Sequence, residues 1–131
     1  MKILVDTNVI IASFLGSSAC FELIEDARHN HQLYYSDQIL AELKRNLVSK
    51  FHYTDKKAVE YLSFISGNFT KCRKIKEVKA LCRDKSDDQI IADAIGNKLD
   101  MIITGDKDLL VLKVKNIVIC SPTGYWLHAR L

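Results

Sequence analysis

The 131-residue sequence predicts an α/β fold, a parallel sheet covered on both faces by helices. Two observations carry that expectation. Short apolar runs alternate with stretches of helical periodicity along the whole chain. Those runs are continuously apolar rather than alternating, as strands buried on both faces must be. The length and the lack of repeats, low-complexity tracts or linkers predict one domain over residues 1–131.

"KILVD" (2–6) is an apolar, β-branched run that ends in a carboxylate, and residues 8–15 follow as a helix. "SACFELIEDARHN" (18–30) is a second helix, with apolar positions at Cys20, Leu23, Ile24 and Ala27. "QLYYS" (32–36) is a strand. Ser36 then caps "DQILAELKRNLVSKF", in which Ile39, Leu40, Leu43 and Leu47 recur at three- and four-residue spacing. Another helix starts at Asp55 and stops at Gly67, and "TKCRKI" (70–75) alternates like a strand. "SDDQIIADAIGNKL" (86–99) places Ser86 and Gln89 at capping-box spacing before a face of Ile90, Ile91, Ala94 and Ile95. "MIIT" (101–104) is a strand, "DLLVL" (108–112) a helical turn, and "NIVIC" (116–120) the last strand.

An apolar fraction of 48% and a charged fraction of 27% are those of an ordinary soluble globule. The longest uncharged stretch, residues 7–21, is shorter than a membrane span and is broken by polar residues. Met1-Lys2 runs straight into a strand, which predicts no secretory leader. Cys20, Cys72, Cys82 and Cys120 are scattered without a CxxC pair, and in a chain without a leader they are expected to be reduced thiols. A cytoplasmic protein is the expectation.

Charge is unevenly placed. Between Lys44 and Lys85 twelve Lys/Arg face four Asp/Glu, a balance of +8 within a total of +3, so the rest carries −5. Such a segment is either a solvated face or a contact surface for a phosphate backbone.

The acids are the informative feature. A parallel open sheet presents its functional crevice at the carboxyl ends of its strands, where strand order reverses. Asp6 ends the first strand, Asp106 follows the fourth, and Asp87 and Asp88 open the helix that leads into it. Glu42 lies one to two turns into the helix after the second strand. Helix capping and the helix dipole account for each position singly. They do not account for all of them lying at one end of the sheet. Clustered carboxylates repel, and a divalent cation removes the conflict. Oxygen ligands without a nearby His or Cys point to Mg²⁺ or Mn²⁺. No Ser, Cys or His stands in a recognisable nucleophile setting, and His29, His31, His52 and His128 fall away from the strand tips as surface or helix-end residues.

"VDTNVII", "SDQILAEL", "DKSDDQIIADA" and "IITGDKDLL", in that order, resemble the PIN-domain ribonucleases over about residues 1–125, and "IVICSPTGYW" resembles the ending of their toxin-type branch. The resemblance implies a three-layer α/β/α sandwich with a parallel five-stranded sheet of order 3-2-1-4-5. It implies four acids, matched here by Asp6, Glu42, Asp88 and Asp106. Asp84 and Asp87 lie close to the third position, and in some branches the fourth role falls at the position of Asp108. Thr7, Asn8 and Thr104 match the supporting polar residues. The implied activity is metal-dependent cleavage of single-stranded RNA, with a small antitoxin as inhibitory partner and a homodimer by family habit. RNA over DNA comes from the resemblance alone. A non-catalytic RNA- or protein-binding module and a DNA-directed nuclease are the alternatives.

Other acidic α/β proteins fit less well. A phospho-acceptor receiver domain needs an acid pair after strand 1, an Asp after strand 3 and a Lys after strand 5. Here stand the single Asp6, "KCRKIKEV" and Cys120-Ser121. A phosphatase of the Asp-x-Asp type fails because Asn8 replaces its second acid.

Overall fold

In the computed structural model, which describes residues 1–129, the elements run β1 (Lys2–Val5), α1 (Thr7–Phe14), α2 (Ser18–Asn30), β2 (Gln32–Tyr35), α3 (Asp37–Ser49) and α4 (Asp55–Asn68). They continue with β3 (Thr70–Lys71), α5 (Lys85–Gly96), β4 (Met101–Ile103), α6 (Lys107–Leu110), β5 (Val118–Cys120) and α7 (Pro122–Ala129). The strands form one sheet in the order β3-β2-β1-β4-β5, every pairing parallel, as expected. The chain winds outward from β1 in one direction and from β4 in the other. By the general right-handed rule for parallel crossovers this order puts helices on both faces in three layers, with the switch point between β1 and β4.

The central strands are buried because their side chains leave no polar face. Ile3, Leu4, Val5, Met101, Ile102 and Ile103 are all fully enclosed, and each such side chain contributes roughly 1.5–3 kcal/mol of transfer free energy. Register pairs Val5 with Ile103, so Asp6 and Thr104 emerge side by side. The Asp6 N–H donates to the Ile103 carbonyl at 2.9 Å, which extends the ladder by one bond. Asp6, Ser36, Asp84 and Asp106 then each cap the helix that follows. The turns at this edge of the sheet are therefore polar for a local reason, and the same turns deliver acids to the crevice.

Four expectations need correction. The third strand stops at Lys71 instead of running to residue 75, because β2 ends at Tyr35. The Cys72 N–H still reaches the Tyr35 carbonyl, but Arg73 and Ile75 donate to the Asn97 and Asp93 side chains instead. The capping box at Ser86 is absent: Asp84 is the cap, and Gln89 reaches out to the Ile75 carbonyl and Asp93. Ile95, expected on the buried face, is half exposed. Lastly, α7 went unpredicted. Ser121 accepts the Gly124 N–H at its start, and Tyr125 within it is fully buried, its hydroxyl donating to Asp26.

Residues 72–84 cross the surface without regular structure, yet α5 pins them at several points. Besides the Asp93 and Asn97 contacts, Ile75 packs where a Cβ on Gly96 would collide with it at 2.2 Å. Glycine is needed there for close approach rather than for an unusual φ.

Candidate active site

A cavity of about 440 Å³ opens at the carboxyl edge of β1 and β4, lined by Asp6, Thr7, Asn8, Glu42, Asp84, Asp87 and Asp106 among others. Its acids come from four separate places in the chain: the end of β1, mid-α3, the first turn of α5, and the turn after β4. Only tertiary structure brings them together, and Asp6, Glu42, Asp84 and Asp106 are each held by their own donors.

Asp6 is buried, with Oδ1 accepting the Thr7 N–H at 2.8 Å and Oδ2 accepting the Thr104 hydroxyl at 2.8 Å. Thr104 in turn accepts the Asp106 N–H at 3.0 Å, so one hydroxyl links the two strand tips. Burial raises the pKa of Asp6; the hydrogen bonds from Thr104 and Thr7 oppose that, and the charges of Glu42 and Asp106 add to it. Glu42 receives the Thr7 hydroxyl on Oε2 and the Gln38 amide on Oε1, both at 3.1 Å. Gln38 also donates to the Ser86 carbonyl at 2.8 Å, tying α3 to the start of α5. Asp106 caps α6 by accepting the Asp108 N–H at 2.9 Å.

Asp87 is buried beside them, and its carboxyl is pushed up to about 6, first by burial and then by the charges of Asp106, Asp84 and Asp6. A carboxyl raised this far among other acids in a cleft marks a site where negative charge is concentrated.

Asp88, matched to the third acid in the sequence, faces elsewhere. Its Oδ1 accepts the backbone N–H groups of Leu81 and Cys82 at 2.8 and 2.7 Å, and those bonds hold its pKa below the usual value. It lines a separate cavity with Ile75, Leu81 and Ile91. Helical geometry explains the division: Asp87 shares the acidic cavity with Ile90, three residues on, and Asp88 shares the other with Ile91, also three residues on. Of the two, Asp87 is the one that shares the cavity with Asp6, Glu42 and Asp106. Asp84, exposed, caps α5 from the rim, while Asp108 is exposed and outside the cavity.

Sequence reasoning missed Gln38 and Asn46, and it placed Arg45 and Lys50 only within the basic segment from Lys44 to Lys85. Three of the four are legible on α3 once Glu42 is accepted, since Gln38, Arg45 and Asn46 stand at helical spacing from it. The histidines, by contrast, do not line the cavity.

The donor set is all oxygen, which suits a hard divalent cation rather than zinc. Among the described residues no three acids, His or Cys already converge in ligating geometry, because Asp6 and Glu42 are turned onto Thr7, Thr104 and Gln38. Each of these carboxylates retains lone pairs beyond the bonds it makes, and a cation would offset the charges that, after burial, raise Asp87. The residues present fit such an ion.

The PIN-domain family profile matches residues 2–108. No curated protein matches the chain. Among solved structures, that of VapBC2 from Rickettsia felis bound to a DNA fragment from their promoter shares the fold, with a TM-score of 0.67 and 14% identity. The likeness covers 92% of this chain and 98% of that one.

Proposed function

The chain belongs to the PIN-domain family, and on that premise we propose that it is a metal-dependent endoribonuclease acting on single-stranded RNA. The observation that carries the reading is the convergence of Asp6, Glu42, Asp87 and Asp106 in one cavity at the switch point of the sheet. The single domain of residues 1–131 would be a cytoplasmic enzyme, the toxin of a pair restrained by a small antitoxin. The fold shared with a chain of the VapBC2 complex supports that context. So does a second cavity, about 440 Å³, lined by Phe14, Phe21, Ile24, Tyr61 and Phe64, with Phe21 55% exposed. A cavity lined this way would seat apolar side chains of a partner. Among the described residues no single helix is long and apolar enough to cross a membrane.

In this reading Asp6, Asp87 and Asp106 hold Mg²⁺ or Mn²⁺. When bound, the ion supplies Lewis-acid stabilisation of charge on the phosphoryl oxygens and makes water acidic enough to act as nucleophile. Glu42, on the α3 side, would orient a water and take its proton on a carboxylate oxygen. Thr104 and Thr7 fix the carboxylates of Asp6 and Glu42 in place, and Asn8, exposed on the cavity wall, offers the substrate a neutral polar contact. No side chain need form a covalent intermediate.

The test is cleavage of a labelled single-stranded RNA and its DNA counterpart by purified protein with Mn²⁺, Mg²⁺ or EDTA. Metal-dependent cutting of RNA is expected. Cutting of DNA alone would keep the site and change the substrate. Neither cutting nor metal binding would leave a non-catalytic binding module with this fold.

A further inference from the structure

Two cations stand on the wall of the acidic cavity, and neither pairs with its acids. Arg45 and Lys50 line the same cavity as Asp6, Glu42, Asp87 and Asp106, and both are exposed. Among the described residues the ion pairs are Arg28–Glu25, His29–Glu25 and Lys71–Asp37.

The helix makes this arrangement informative. Glu42 and Arg45 are three residues apart on α3, a spacing at which an acid and a base ordinarily meet. Here the carboxylate of Glu42 is turned toward Thr7 and Gln38, which engage one oxygen each. The Arg45 guanidinium is left to another anion. Lys50, the C-cap of α3, has a local reason to be basic, because the helix dipole favours a cation there. Arg45 lies before the last turn and has no such reason.

Electrostatics supplies the need. A phosphodiester approaching five carboxylates, Asp84 included, is repelled until something offsets their charge, and an ion at the centre offsets it only at the scissile position. The flanking phosphates require fixed cations of their own. Along the helix axis the two residues are separated by roughly 7.5 Å, five residues of rise, on the order of one step of an extended strand. A guanidinium is suited to grip phosphate oxygens in pairs, whereas the ammonium of Lys50 acts as a point charge.

We propose that Arg45 and Lys50 hold consecutive phosphates on one side of the cleavage point, so that the strand lies along the C-terminal half of α3 with its scissile phosphate over the carboxylates. This assignment rests on the nuclease reading and adds to it the direction in which substrate enters.

The experiment compares wild type, Arg45→Ala, Lys50→Ala, the double variant and Arg45→Lys, all as the full chain. Binding of a labelled single-stranded RNA is measured by anisotropy over a salt series, and single-turnover cleavage is measured with Mn²⁺. The double variant is expected to need at least about tenfold more RNA for half-maximal rate, with the rate at saturating RNA nearly unchanged. Its dependence of log K on log salt should be shallower by roughly 1.4, about 0.7 per phosphate contact on a single strand. Arg45→Lys should restore part of the binding. Unchanged half-saturation and salt slope in a double variant of an active enzyme would overturn the assignment while sparing the nuclease reading. So would loss of the saturating rate with binding intact. A wild-type chain that neither binds nor cuts RNA or DNA would overturn both.

Discussion

Asp87 and Asp88 are the same residue type, adjacent in sequence, both buried at the first turn of α5, and they face opposite ways. The inner face of that turn concentrates negative charge: burial first, and then the charges of Asp106, Asp84 and Asp6, raise Asp87 to about 6. The outer face disperses it, because the Leu81 and Cys82 N–H groups solvate Asp88 and lower its pKa. A buried acid with fixed backbone donors holds a loop in place. One whose neighbours are other acids is destabilised until a cation offsets their charge. Burial alone does not separate structural acids from functional ones; their partners do.

The largest expected effect lies on the inner side. Asp6→Asn or Asp106→Asn should reduce single-turnover cleavage by at least roughly 1,000-fold. The thermal midpoint should move little, since asparagine can still accept the capping N–H. Asp87→Asn should follow at about 100-fold, with weaker Mn²⁺ binding. Thr7→Val, which removes the hydroxyl donated to Glu42, should cost about tenfold in rate. On the outer side, Asp88→Ala should strand two backbone N–H groups and lower the thermal midpoint by several degrees, with only a small change in cleavage.

Opposed pKa shifts give a pH form of the same contrast, to be followed by thermal denaturation in chelator. Asp87 is raised from 3.8 to about 6 on folding, so the folded state favours its protonated form. Its contribution to stability is fully present below about 3.8 and lost as pH rises through about 6. Wild type should lose ground to Asp87→Asn across that interval, the gap closing at pH 4 and below. Asp88 is lowered, so its contribution is present above 3.8 and lost as pH falls below it. The Asp88→Ala penalty should shrink on acidification.

Most of the architecture was legible because it rests on local signals. Continuous apolar runs gave the parallel sheet, and Ser36 as a cap placed the start of α3. The placement of Asp6 and Asp106 in one cavity was legible because they follow buried strands directly, and strand tips leave little freedom of direction. The choice between Asp87 and Asp88 was not legible. Each stands three residues before a buried isoleucine, so periodicity favours neither, and the partners that decide the matter come from a loop without regular structure. The end of β3 was hidden for a related reason. "TKCRKI" has strand-like alternation, but the acceptors that end the ladder are Asp93 and Asn97, more than fifteen residues away. The start of α7 could have been read, since Ser121-Pro122 combines a capping serine with proline at the first helical position.

One measurement bears most directly on the central claim: Mn²⁺-dependent cleavage of single-stranded RNA by Asp87→Asn and Asp88→Asn side by side, with thermal midpoints confirming that both are folded. Asp87→Asn is expected to lose about two orders of magnitude in rate, while Asp88→Asn, whose amide oxygen can still accept the Leu81 and Cys82 N–H groups, should stay near wild type. An active Asp87→Asn beside an inactive, folded Asp88→Asn would contradict that claim.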